Sequence, residues 1–144
     1  MKSNLKRLQK KAENLWKEYC LKRDRRVCQV KRFFPGIQIA HTNIMQVDHC
    51  FSRTNKHLFV SVKNGTCVCS ACNMAKGFGQ KSIARAVDSI VIMREGKEAW
   101  EAMLKIDQAK SVNNNWKSIP HLEETIKQLE ILVKQLTTIT QEAL

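Results

Sequence analysis

Residues 47–76 read VDHCFSRTNKHLFVSVKNGTCVCSACNMAK and contain most of the chemically distinctive side chains of the protein. Asp48 and His49 are adjacent, and Asn64-Gly65 follows after a polar loop. A Cys-x-x-Cys pair then stands directly before an asparagine, in Cys69-Ser70-Ala71-Cys72-Asn73. In a reducing compartment this pair is more typical of half a zinc knuckle than of a disulfide. The pattern predicts a strand, a loop, a short second strand and then a helix.

This order of residues resembles the HNH endonucleases, the ββα-metal or His-Me finger family, over about residues 24–81. The ending Cys69-x-x-Cys72-Asn73-x-x-Lys76 is similar to that of the zinc-knuckle members, among them phage recombination and homing nucleases. The resemblance implies an α+β fold, with a small ββα-metal core and flanking α-helices. We therefore expect four parts: a basic N-terminal helix (1–26), an HNH nuclease core (27–81), helical support (82–111) and an amphipathic C-terminal helix (112–144).

The resemblance also implies a role for each site residue. Hydrolysis of a phosphodiester needs a divalent cation on the phosphate and a base for the attacking water. By the resemblance, His49 is the general base, Asp48 and Asn73 hold Mg²⁺ or Mn²⁺, and Asn64 holds the loop so that the His49 ring faces the phosphate. Taken singly, the residues also allow other interpretations. Asp48-His49 could be a polar loop pair, Asn64-Gly65 a type I′ turn, and Asn73 a helix cap.

A structural zinc site needs four ligands, and the family usually supplies two of them from a second Cys-x-x-Cys pair upstream. Here Cys28 occupies the first of those positions, but Lys31 occupies the second. The candidate zinc ligands are Cys28, His41, Cys69 and Cys72. In the alternative, zinc is absent and apolar side chains fill the gap, namely Phe33, Phe34 and Ile37. The other cysteines, Cys20, Cys50 and Cys67, are expected to be packed thiols.

The charge distribution indicates a polyanionic partner. The chain has 25 Lys and Arg against 13 Asp and Glu, a formal net charge of +12. Residues 1–81 contain 17 basic and 4 acidic side chains, whereas residues 82–144 contain 8 and 9. A basic excess confined to one part of a chain is typical of a surface that faces nucleic acid, here expected to be DNA. The expected DNA contacts are Lys76, Arg53, Lys63 and Lys81.

Two other classes of function stay open at this point. A non-catalytic zinc-finger-like module could bind nucleic acid through the same basic surface. A structural or assembly protein could depend mainly on the last helix. Neither class needs Asp48 and His49 together, and the adjacent pair therefore favours the nuclease.

Apolar spacing predicts the helices. They are expected over residues 4–22, from Cys69 to Lys76, from Ser82 to Glu95 and over residues 97–109. Residues 111–115 are polar and are the best candidate linker. A last helix should begin after Ser118, with an apolar seam at Leu122, Ile126, Leu129, Val133 and Leu136. The seam could pair two subunits into a homodimer, or it could pack against the chain's own helices.

No segment predicts a membrane span or a secretory signal. The longest purely apolar run is Ile90–Met93, far short of the roughly 20 residues that a span requires. The basic N-terminus has no apolar block behind it. We therefore expect a cytoplasmic protein without a membrane partner, in a bacterial or phage-infected host cell.

Overall fold

The computed structural model describes residues 2–112 and 114–143, and within them helices surround one small sheet. Two short 3₁₀ helices, Val62–Asn64 and Asn114–Lys117, connect longer elements. The helices and strands are α1 (Lys2–Arg23), α2 (Gln29–Phe33), β1 (Met45–His49), β2 (Gly65–Cys69), α3 (Ser70–Gly77), α4 (Lys81–Glu95), α5 (Lys97–Ala109) and α6 (Ile119–Glu142).

The sheet is a two-stranded antiparallel hairpin that agrees with the predicted α+β class. Strands β1 and β2 pair so that Met45 lies opposite Cys69 and His49 lies opposite Gly65. The predicted sheet over residues 27–68 is smaller than its apolar stretches suggest. Residues 29–33 form helix α2 instead, and residues 37–40 and 58–61 are loops and turns. These stretches lack strand partners because their side chains pack against helices.

The four long helices begin and end close to their predicted positions. Helix α4 starts at Lys81 with Gln80 as its N-cap, so the predicted cap at Ser82 is wrong by two positions. Ser118 does cap α6, because its side chain accepts a hydrogen bond from the backbone N–H of His121. The proposed linker includes Asn113, which lies outside the described residues. None of the described helices is long and apolar enough to cross a membrane.

Helices α1 and α6 pack along each other and bring the two ends of the chain together. Their shared core is fully or almost fully buried and consists of Leu8, Ala12, Trp16 and Cys20 from α1 with Leu122, Ile126 and Leu129 from α6. The first half of the α6 seam therefore packs within its own chain. The second half is more open, with Ile131 and Ile139 exposed. The homodimer through α6 stays a prediction, and only this second half could form it.

A second core lies under the other end of the hairpin. Helix α4 buries Ile83, Val87 and Ile90 at helical spacing against Val68 of β2. A smaller cluster joins α4 to α5 and to the loop after β1 through Phe51, Leu58, Val91 and Met103. Both faces of the hairpin are thus covered by helices, which explains why all five residues of β2 are buried.

Gly65 lies at the point where β2 meets α1. Its backbone is extended, with φ of −101°, so Asn64-Gly65 does not form the type I′ turn that the dipeptide allows. A Cβ atom at this position would lie 2.5 Å from Cys20 Sγ and 2.7 Å from the Trp16 ring. Glycine is therefore required for close packing rather than for a turn.

We predict that Gly65→Ala destabilises the fold by about 1–3 kcal/mol, because the added methyl group overpacks the contact between β2 and α1. Gly36→Ala is the matched control, since nothing lies within 4 Å of a Cβ at Gly36. Urea unfolding followed by circular dichroism measures both variants. Equal midpoints for the two variants would contradict the close approach at Gly65.

Candidate functional site

Four side chains from separate parts of the chain form a Cys/His cluster beside the hairpin. Cys28 precedes α2, His41 lies in the loop before β1, Cys69 ends β2, and Cys72 lies in the first turn of α3. Their ligand atoms all lie within 4.8 Å of one another. The hairpin and α3 thus bring together the four residues predicted from the sequence.

The distances in the cluster fit a tetrahedral metal ion. His41 Nδ1 lies 3.4 Å from Cys69 Sγ, 3.5 Å from Cys72 Sγ and 3.9 Å from Cys28 Sγ. The Cys28 and Cys72 sulfurs are 3.8 Å apart. Tetrahedral zinc with ordinary bond lengths requires about 3.8 Å between sulfurs and about 3.5 Å from sulfur to nitrogen. The cluster can therefore hold a metal ion such as zinc.

Electrostatics inside the cluster favour a thiolate at Cys69. Burial raises the pKa of this thiol, but hydrogen bonds from the Cys72 and Thr42 backbone and from His41 outweigh burial and lower the pKa to about 6. Burial and the adjacent Cys69 raise the pKa of Cys72, because two neighbouring thiolates repel each other. A cation between them would stabilise both thiolates.

The remaining cysteines lie apart from this cluster, as the sequence predicts. Cys20 and Cys67 are buried, and burial raises the pKa of each to about 12. Cys50 is half-buried and donates a hydrogen bond to Asp88. Phe34 and Ile37 pack beside the cluster without replacing it, whereas Phe33 is 44% exposed.

A cavity of about 600 Å³ opens next to the cluster, between α1, β1 and α3. It contains Asp48, His49 and Asn73, three of the four residues predicted for catalysis. Its full lining is Glu13, Lys17, Leu21, Met45, Gln46, Val47, Asp48, His49, Ser52, Arg53, Asn73, Lys76 and Gly77.

Helix α3 runs alongside β1 and forms two polar contacts with it. Asn73 Nδ2 donates to Gln46 Oε1 at 2.8 Å, and Lys76 Nζ donates to Asp48 Oδ2 at 2.6 Å. Three residues of helix advance about 4.5 Å and two residues of strand about 6.6 Å, so the two pairs stay in register. The contact with Gln46 uses the Asn73 amide nitrogen and leaves the amide oxygen available as a ligand.

Asp48 is a buried carboxylate with a cation against it. Burial raises its pKa, and the Lys76 ammonium opposes that shift. Lys76 Nζ also donates to the backbone oxygen of His49 at 2.6 Å. Within the described residues, the Asp48 carboxylate thus faces a position where positive charge is already accepted.

The His49 ring is held in one orientation by two aromatic rings. It stacks on Trp16 at a centroid distance of 4.3 Å and on Phe59 at 5.0 Å. Its Nε2 lies 2.9 Å from the Phe59 backbone oxygen, which can only accept, so Nε2 carries the proton. Burial lowers the pKa of His49 to about 4. The ring is therefore neutral near pH 7, and Nδ1 is its basic atom.

Asn64 lies outside the cavity and is fully buried. Its Oδ1 accepts from the Phe51 backbone N–H at 2.7 Å, and its Nδ2 donates to the Leu58 backbone oxygen at 3.1 Å. The side chain thereby ties together the two ends of the loop between β1 and the 3₁₀ helix. This loop carries the Phe59 oxygen that orients His49.

The four expected DNA contacts are placed differently. Arg53 and Lys76 line the cavity, and Arg53 is exposed. Lys63 and Lys81 are exposed but do not line it. The basic side chains are thus distributed over more than the mouth of the cavity.

Sequence reasoning missed several side chains of the cavity. Gln46 could have been found, because it precedes Asp48 by two positions and so shares its face of β1. Glu13 and Lys17 come from α1 and pair with each other at 3.0 Å. No pattern in the sequence places α1 over the strand end, so these two had no signal.

Comparisons of the chain with family models, curated proteins and solved structures found no match.

We predict that Cys72→Ser removes a bound zinc ion and lowers the melting temperature, since a structural site loses one of four ligands. Cys50→Ser is the control, because Cys50 lies outside the cluster and serine keeps a donor for Asp88. Metal content by mass spectrometry and thermal unfolding measure both variants. A Cys72→Ser protein that keeps its zinc would refute the assignment.

Proposed function

We propose that the protein is a metal-dependent endonuclease of the HNH type that hydrolyses DNA phosphodiester bonds. The observation that carries the proposal is the meeting of Asp48, His49 and Asn73 in one cavity beside a Cys/His cluster. Strands β1 and β2 and helix α3 follow one another in the order expected of a ββα-metal core. Helices α1, α2, α4, α5 and α6 would then be the flanking elements.

His49 is the general base in this proposal. Its Nε2–H is already donated to the Phe59 oxygen, so Nδ1 is left to accept a proton from water. The aromatic rings on both faces keep the imidazole from rotating. Asn64 is a positioning residue, because it holds the loop that carries the Phe59 oxygen.

Asp48 and Asn73 would hold the divalent ion, which when bound neutralises charge on the phosphate. The fit rests on the Asp48 carboxylate, which accepts an ammonium at 2.6 Å, and on the free amide oxygen of Asn73. Oxygen ligands of this kind favour Mg²⁺ or Mn²⁺ over softer ions. The Cys/His cluster, with thiolate ligands, would hold a structural Zn²⁺ instead.

Lys76 and Arg53 would bind the DNA backbone at the cavity. Lys76 is 18% exposed and reaches the same carboxylate that would hold the ion, so it can pass from Asp48 to a phosphate oxygen. Arg53 lies at the rim, 3.8 Å from Glu13. Lys63 and Lys81 would add contacts away from the scissile bond.

A non-catalytic zinc-finger-like module that binds nucleic acid is the second candidate. It is favoured by the Cys/His cluster, which is complete without any of the cavity residues. The two candidates differ in one respect: only the nuclease converts supercoiled plasmid to nicked circles when Mg²⁺ or Mn²⁺ is added.

We predict that His49→Ala lowers the rate of plasmid nicking by about 10²-fold or more while DNA affinity stays unchanged, as expected on loss of a general base. His57→Ala is the control, because this exposed histidine lies outside the cavity. Nicking is measured with Mg²⁺ or Mn²⁺ and with EDTA, and affinity by gel shift. Wild-type rates for His49→Ala would remove His49 from the mechanism, and DNA binding without any nicking would favour the second candidate.

We further predict that Gln46→Met raises the Mg²⁺ concentration needed for half-maximal nicking, by about tenfold at the low end of outer-shell effects. The substitution removes the acceptor that orients the Asn73 amide. Gln46→Glu is the matched variant, since a carboxylate can only accept and so preserves the Asn73 orientation. Identical Mg²⁺ requirements for Gln46→Met and the wild type would show that Gln46 does not position Asn73.

A further inference from the structure

An apolar patch on α3 lies beside the cavity and belongs to none of the three buried cores. It consists of Phe78, which is 85% exposed, and Met74, which is 62% exposed. The two positions are four apart, so the side chains lie one above the other on the same side of the helix. A phenyl ring so fully in water costs hydrophobic free energy unless a ligand covers it.

The patch is adjacent to the proposed site along and around the same helix. Asn73, Lys76 and Gly77 line the cavity, and Met74 and Phe78 follow them by one residue, about 100° around the helix. Helix α3 ends at Gly77, and Gly79 has a φ of +86°, so the chain turns away directly after the ring. Phe78 therefore projects at the end of the helix, next to the cavity.

Charge decides which ligand suits the patch. Residues 49–87 contain six basic side chains and no acidic one: Arg53, Lys56, Lys63, Lys76, Lys81 and Arg85. Lys76 precedes Phe78 by two residues, and Lys81 follows it by three. An exposed aromatic ring among cations suits nucleic acid, since bases stack on rings while phosphates pair with the cations.

We infer that Phe78, supported by Met74, stacks on a base next to the phosphate that enters the cavity. The inference rests on the proposed function, because it takes nucleic acid as the substrate. It adds a subsite: the nucleotide beside the scissile bond is unstacked from its neighbour and covered by the ring. Enzymes that open a base step with an apolar side chain gain a distorted backbone in return. The subsite would therefore favour DNA that is already unpaired or branched at this step.

The test uses short DNA strands with 2-aminopurine, a base whose fluorescence changes on stacking, in unpaired and fully paired form. Phe78→Ala should weaken binding of the unpaired DNA by about tenfold and abolish the fluorescence change, at the low end of base–aromatic stacking effects. Phe78→Trp should retain both, and Phe78→Leu should retain neither in full, because it lacks a π-face. The slope of affinity against salt should not change, since no cation is removed.

Phe33→Ala is the matched control, because Phe33 is also an exposed ring but lies on α2, away from the cavity. Equal affinity and equal fluorescence for Phe78→Ala and wild type would overturn the stacking subsite, even if plasmid nicking supports the nuclease. Failure of nicking with the fluorescence change intact would instead overturn the proposed catalysis and leave the subsite. If Phe78→Ala changes only the sedimentation of the protein, the ring contacts a second copy and the inference is wrong.

Discussion

The indole of Trp16 lies where α1 meets the hairpin, and three parts of the candidate site contact it. Its ring stacks on His49, its Nε1–H donates to the Ser61 backbone oxygen at 2.8 Å, and Gly65 packs directly against its edge. Trp16 is fully buried because α6 covers α1 from the other side. The orientation of the imidazole therefore depends on helices from both ends of the chain, although neither contains a residue predicted for catalysis.

The hairpin is held at both of its ends by different physics. At the Gly65 end, Arg23 donates to the Val62 and Gly65 backbone oxygens at 2.6 Å, and Asp24 accepts from the Cys67 backbone N–H at 2.8 Å. At the other end, Cys69 belongs to the Cys/His cluster. A two-stranded hairpin is marginal in water by itself, so these attachments and the helices on each face supply its stability. A metal ion in the cluster would thus stabilise β2, α3 and, through Asn73 and Lys76, the cavity.

The polar contacts of the cavity suit a site that must receive both a cation and an anion. Asp48 is buried and paired with Lys76, and breaking a buried pair without a substitute is costly. A divalent ion at Asp48 would replace the ammonium, and the released Lys76 would then find a partner in the phosphate. His49 differs from this pair, because burial keeps its ring neutral and leaves Nδ1 basic.

The sequence by itself determined the local features: the helix periods, the α6 cap at Ser118 and the four members of the Cys/His cluster. Ligand chemistry and spacing are enough for these, because zinc accepts few side chains and helical period is a local property. The apolar stretches around the hairpin were harder to place, since a short apolar run fits a strand, a turn or a helix equally well until its packing partners are known. Only the tertiary structure decided that α6 packs against α1, that Gly65 serves a close contact, and that Glu13, Lys17 and Gln46 line the cavity. These facts depend on contacts between residues distant in the chain, and side-chain periodicity reports which face is apolar but not which surface will cover it.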